Sequence, residues 1–112
     1  MSEAPRVALV TGGSRGIGRA VALRLAADGI SVGVNYVARA DAATGVVEEI
    51  QASGGHAIAV GGDVADAATV ERIVGEVEER LGPIGVLVNS AGINRDNLLL
   101  RMSVEDFDEK DW

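Results

Sequence analysis

Residues 11–18, Thr11-Gly12-Gly13-Ser14-Arg15-Gly16-Ile17-Gly18, constrain the fold of this chain more than any other stretch. Before them runs Arg6-Val7-Ala8-Leu9-Val10, an apolar β-type segment. After them comes a helical pattern, with Ile17, Val21 and Leu25 four residues apart and Ala22 and Ala26 beside them. A glycine motif becomes informative when it joins a strand to a helix. Glycine lacks a Cβ, so the chain can turn sharply and bring backbone N–H groups against a ligand. The first turn of the helix offers unpaired N–H donors and a partial positive charge, which favour an anion such as a pyrophosphate. The spacing is T-G-x-x-x-G-x-G, whose span from first to last glycine is one residue longer than that of the common G-x-G-x-x-G.

The rest of the chain repeats this alternation. Residues 6–10 read as a buried strand, and 17–28 as a helix with Gly29 at its C′ position. Residues 30–36 read as a second strand. A helix follows from about Asp41 to Ser53, with Ala43, Val46, Val47 and Ile50 on one face, and Gly54-Gly55 stops it. His56 to Val60 is the third strand. Asp66 is the expected N-cap of a third helix, whose stripe of Val70, Ile73, Val74, Val77 and Leu81 fits a 3.6-residue period. Gly82-Pro83 ends that helix, and Ile84 to Val88 is the fourth strand. Strands alternating with helices across short turns imply parallel strands with right-handed helical crossovers. Ser103 with Asp106 reads as a capping-box start, so a further helix is expected at about 103–112.

Composition narrows the function classes. Hydrophobic residues make up 47% of the 112 and aromatics only 3%, so the core must be aliphatic. The net charge is −7 and no basic run exists, which argues against a nucleic-acid surface. Cysteine is absent, so disulfides and thiolate metal sites are excluded, and a reducing cytoplasm is the expected compartment. The only histidine, His56, reads as a surface turn residue, and no metal site is expected. The N-terminus has no basic and apolar regions of a signal peptide, and no apolar run approaches the ~18 residues of a membrane span.

The glycine turn, together with Asp63-Val64 after the third strand and Asn89-Ser90-Ala91-Gly92 after the fourth, resembles the short-chain dehydrogenase/reductase family. The resemblance implies a Rossmann-like doubly wound sheet with strand order 3-2-1-4, of which residues 1–112 would be the N-terminal half, a truncated dinucleotide-binding domain. It implies NADP(H) as cofactor. Gly12, Ser14, Arg15, Ile17 and Gly18 would meet its phosphates, with Arg15 pairing the 2′-phosphate. An acidic residue at the end of the second strand would favour NAD instead. Here Asn35-Tyr36 stands at that place, with no Asp or Glu before Asp41, and Arg39 lies a few residues on. Asp63 and Val64 would read the adenine, the carboxylate accepting from the exocyclic amine; the competing reading of Asp63 is a turn residue. Asn89, Ala91 and Gly92 would lie on the ribose and nicotinamide side. In the family the first Asn of this element braces the sheet, and Thr11 bonds back to the loop. Ser90 departs from the family's Asn-Asn-Ala-Gly.

Residues 93–102, Ile93-Asn94-Arg95-Asp96-Asn97-Leu98-Leu99-Leu100-Arg101-Met102, look like the 3-oxoacyl-[acyl-carrier-protein] reductase branch. That branch implies an acyl-carrier-protein- or CoA-linked substrate, such as acetoacetyl-CoA, and a homo-oligomer at full length. The family's proton-transfer machinery needs a Tyr with a Lys four residues later, plus a Ser. This sequence has one Tyr, Tyr36, and one Lys, Lys110, and no Tyr-x-x-x-Lys. An isolated Tyr with a pKa of ~10 transfers protons poorly at neutral pH. The expectation is therefore a cofactor half without catalytic residues. The alternatives are a non-catalytic nucleotide-binding module and a subunit that completes its fold with a second chain.

Overall fold

The computed structural model describes residues 6–90 of the chain. The expected helix at 103–112, the 93–102 stretch, Ala91 and Gly92 lie outside them. Seven elements follow in order: β1 (Val7–Thr11), α1 (Gly16–Ala27), β2 (Ser31–Tyr36), α2 (Ala40–Ala52), β3 (Ala57–Gly61), α3 (Ala67–Arg80) and β4 (Val86–Asn89). They form one four-stranded parallel sheet in the order β3-β2-β1-β4, a Rossmann-like α/β fold.

The order explains the layers. From β1 the chain steps to β2 and then to β3 in one direction, through α1 and α2. It then reverses, crossing through α3 to the far side of β1. With all crossovers right-handed, a reversal of direction puts α3 on the opposite face. The core divides accordingly. Val7, Leu9, Ile58 and Val60 point to one face and pack with Val70, Ile73 and Val77 of α3. Val10, Val32, Val34 and Ala57 point to the other and pack with Ala22 of α1 and Ala43, Val46 and Ile50 of α2. Successive side chains of a strand face opposite ways, so a strand covered on both faces is apolar throughout. That is why Val7–Val10 reads as an unbroken apolar run, and all four residues are buried. Each fully buried Val, Leu or Ile contributes about 1.5–3 kcal/mol relative to exposure.

Element limits differ from the sequence reading by one or two residues. β1 extends through Thr11 because Thr11 pairs in register with Asn89. β4 starts at Val86, where the register with Ala8 begins. The helix ends follow the glycines. At the end of α1, Gly29 has φ +88°, its N–H bonds the Ala26 carbonyl at 3.0 Å, and the Ile30 N–H bonds the Leu25 carbonyl at 3.1 Å. This pair of bonds is the Schellman termination. Asp66 occupies the N-cap position of α3 without making a side-chain cap bond. Its carboxylate accepts the Thr69 hydroxyl at 2.7 Å instead.

The expected apolar stripe of α1 is corrected at its first member. Ile17 is 79% exposed, and the face turned to the sheet is centred on Gly18 and Ala22. The helix enters so close to β1 and β4 that only a residue without a side chain fits there. A Cβ on Gly18 would collide with the Gly12 carbonyl and with Ser90 Oγ.

Candidate functional site

The reversal between β1 and β4 leaves a crevice at the carboxyl ends of the strands, where open α/β sheets take their ligands. A cleft of about 710 Å³ lies there. Its walls come from the glycine turn and first residues of α1 (Gly12, Ser14, Arg15, Gly16, Ile17, Gly18), from the end of β2 and its loop (Tyr36 to Arg39), and from Asn89 and Ser90 after β4.

The turn is held from below by two polar residues that are fully buried, Thr11 and Asn35. Thr11 Oγ1 donates to Asn89 Oδ1 at 3.2 Å and accepts the Ser90 N–H at 3.2 Å, so the link from Thr11 to the fourth-strand loop is present. Ser90 Oγ returns to the Thr11 carbonyl, and to that of Gly12 at 3.3 Å. Asn35 Oδ1 accepts the Gly12 N–H at 3.3 Å, and the Asn35 carbonyl accepts the Gly13 N–H at 3.0 Å. Asn35 Nδ2 donates to the Val60 and Gly62 carbonyls at 3.1 and 3.0 Å. These bonds join the ends of β1, β2, β3 and β4. Buried amides satisfied in this way rigidify a site.

Above that brace, the first turn of α1 opens on the cleft. Its N-cap is Arg15, which makes no side-chain cap bond, and its first turn holds no acidic residue. The first intrahelical bond is Arg19 N–H to the Arg15 carbonyl at 3.2 Å, so the preceding N–H groups have no partner within the helix. An anion would satisfy them and gain from the helix dipole. The donor set therefore fits a pyrophosphate. Arg15 is exposed and makes no ion pair with any described residue. Arg39 is also on the cleft but is committed: its Nε and Nη2 donate to the two oxygens of Asp41 at 3.1 and 3.2 Å. Those bonds, with one from the Ala42 backbone, hold the Asp41 carboxyl below the usual carboxylate range.

The sequence-predicted residues divide by position. Gly12, Ser14, Arg15, Ile17, Gly18, Tyr36 and Asn89 converge on the cleft. Asn35 lies beneath it, buried, with its amide engaged by backbone groups. Asp63 and Val64 lie on the loop after β3 and do not line the cleft. Val64 is in the α3-side core, so only its backbone can face a ligand. Asp63 Oδ1 accepts the Ala65 N–H at 2.9 Å, the bond of an Asx turn. Sequence reasoning did not single out Val37 or Ala38, which also line the cleft, nor the tie that Ser90 makes, and it quoted Gly16 only as a member of the glycine motif. The departure of Ser90 from the family element was the available signal. Among the described residues no group of three or more His, Cys, Asp or Glu side chains is arranged to hold a metal, and no helix is long and apolar enough to cross a membrane.

A parallel sheet with a reversal point, a glycine turn into a helix and a helix start without a side-chain cap that opens on the crevice define a Rossmann-like α/β protein. Within that class, the family model for the short chain dehydrogenase matches residues 6–110, and the chain belongs to that family. A 3-oxoacyl-[acyl-carrier-protein] reductase of Staphylococcus aureus is 51% identical over 102 residues, covering 91% of this chain and 42% of that protein. The chain thus spans about two-fifths of the length of the curated relatives it matches. A dehydrogenase/reductase from Sinorhizobium meliloti 1021 superposes with a TM-score of 0.85 at 37% identity, covering 93% of this chain and 50% of that one. A short chain dehydrogenase from Burkholderia cenocepacia J2315, solved in complex with NADP, gives 0.75 at 51% identity, covering 79% and 36%.

Proposed function

We propose that this chain forms the NADP(H)-binding half of a short-chain reductase that acts on 3-oxoacyl thioesters. The observation that carries the reading is the open first turn of α1 on a cleft where Arg15 is uncommitted and the end of β2 presents Asn35-Tyr36 in place of a carboxylate. A carboxylate there would repel a 2′-phosphate, and its absence removes that barrier. In this reading the backbone at Gly12, Ser14, Ile17 and Gly18 holds the pyrophosphate, and Arg15 pairs with the 2′-phosphate. Asp63 and the Val64 backbone read the adenine edge. Asn89, Ala91 and Gly92 border the nicotinamide ribose. Bound NADPH supplies a hydride for the carbonyl carbon of a substrate. What the described residues contribute is placement: Thr11, Asn35 and Ser90 fix the turn, and the turn fixes the cofactor.

The substrate class rests on the S. aureus relative, whose name is that of a reductase of 3-oxoacyl groups on acyl carrier protein. Proton transfer to the carbonyl oxygen is assigned to residues outside this sequence, because its one Tyr and one Lys do not form the Tyr-x-x-x-Lys pair. The test is NADPH oxidation followed with acetoacetyl-CoA, for the 112-residue chain and for the product of its complete reading frame. Turnover only by a product that contains Tyr-x-x-x-Lys is expected. Steady turnover by the 112 residues alone would overturn the assignment of chemistry to residues beyond them.

A further inference from the structure

Two arginines border the cleft, and they differ in what else they touch. Arg15 makes no ion pair with a described residue, whereas the guanidinium of Arg39 lies edge-on to both oxygens of Asp41, at 3.1 and 3.2 Å. Asp41 sits in the first turn of α2, two residues after Arg39, which is the N-cap of that helix. Both side chains are exposed. A phosphate or carboxylate recognised by an arginine is usually gripped through two parallel N–H bonds. Here one such edge of Arg39 is taken, and the pair carries no net charge toward the cleft.

We propose that Asp41 is a specificity-determining residue that restrains Arg39 and so weakens the preference for a phosphorylated adenosine ribose over an unphosphorylated one. The inference rests on the NADP(H) reading above. Two effects act in the same direction. A 2′-phosphate that approaches Arg39 must displace the Asp41 carboxylate or share the guanidinium with it. It must also approach that carboxylate's negative charge. NADH has no 2′-phosphate and meets neither cost. Because the pair is solvent-exposed, the restraint is modest and weakens as salt screens it.

The test is fluorescence titration of NADPH and NADH into the protein made from its complete reading frame, at low and high ionic strength. The variants are Asp41→Asn, Asp41→Ser, Arg39→Gln and the double variant Arg39→Gln with Asp41→Asn, with thermal melts to check that each is folded. For Asp41→Asn and Asp41→Ser, NADPH binding is expected to tighten by about two- to fivefold at low salt. NADH binding should change less, and the gain should shrink at high salt. In the Arg39→Gln background the NADPH-selective gain should be smaller. Weaker NADPH binding in both Asp41 variants would overturn the proposal and show that Asp41 orients Arg39 for the ligand. Equal changes for NADPH and NADH would also overturn it. Failure of the unaltered protein to bind NADPH would instead overturn the cofactor reading, and this proposal with it.

Discussion

Asn35 shows how one side chain can set the geometry of a site from beneath it. Its position at the end of β2 was legible as a place beside the candidate site, but its burial was not. Nothing in a run of Val34-Asn35-Tyr36 says which way a polar residue turns, because alternation along a strand covered on both faces sends every side chain into protein. The structure resolves this through the amide's two ends: Oδ1 meets the Gly12 N–H, and Nδ2 meets the carbonyls of Val60 and Gly62. Replacing Asn35 with Ala would leave those three groups without this partner. The expected loss is about 3 kcal/mol, as each buried unsatisfied group costs about 1–3 kcal/mol and the turn can relax in part. Urea denaturation measures this, and a change below about 0.5 kcal/mol, the range usual for surface substitutions, would contradict the bracing role. Ile17 teaches the converse. Its helical spacing with Val21 and Leu25 is real, yet its place at the mouth of the cleft leaves it exposed.

The helices and strands themselves were the most legible part of the molecule. The α3 stripe of Val70, Ile73 and Val77 is buried as its period requires, and Gly29, Gly54 and Gly82 all mark helix ends. Alternation was enough to call parallel strands and helical crossovers. It could not give the strand order, which depends on where α3 crosses, and that entered only through the family resemblance. Some element positions are not set by packing among the described residues. Gly45 lies in the interior of α2, exposed, with nothing within 4 Å of where a Cβ would be. Gly45→Ala should therefore stabilise the protein by about 0.5–1 kcal/mol through backbone entropy and helix propensity. A thermal melt checks this. A lower melting temperature would mean that the α2 surface has a role that the described residues do not reveal.

At the scale of the described residues as a whole, the fold gathers the candidate site at the carboxyl ends of the strands. The sheet reversal opens the crevice, the glycine turn brings an uncapped helix start to it, and the buried Thr11–Asn89 and Asn35–Gly12 bonds keep both walls in register. A chain with a net charge of −7 has little general attraction for a polyphosphate, so binding must come from local donors. In the proposed reading, Arg15 and the N–H groups of the turn are those donors. The most direct test of this account is a titration of NADPH and NADH into the protein made from its complete reading frame, with Arg15→Gln beside it. The account predicts tighter binding of NADPH than of NADH, and a preference that narrows by about tenfold or more in Arg15→Gln, because a charge-assisted phosphate contact contributes about 1.5–3 kcal/mol. Equal binding of the two nucleotides, or a preference untouched by the substitution, would contradict it.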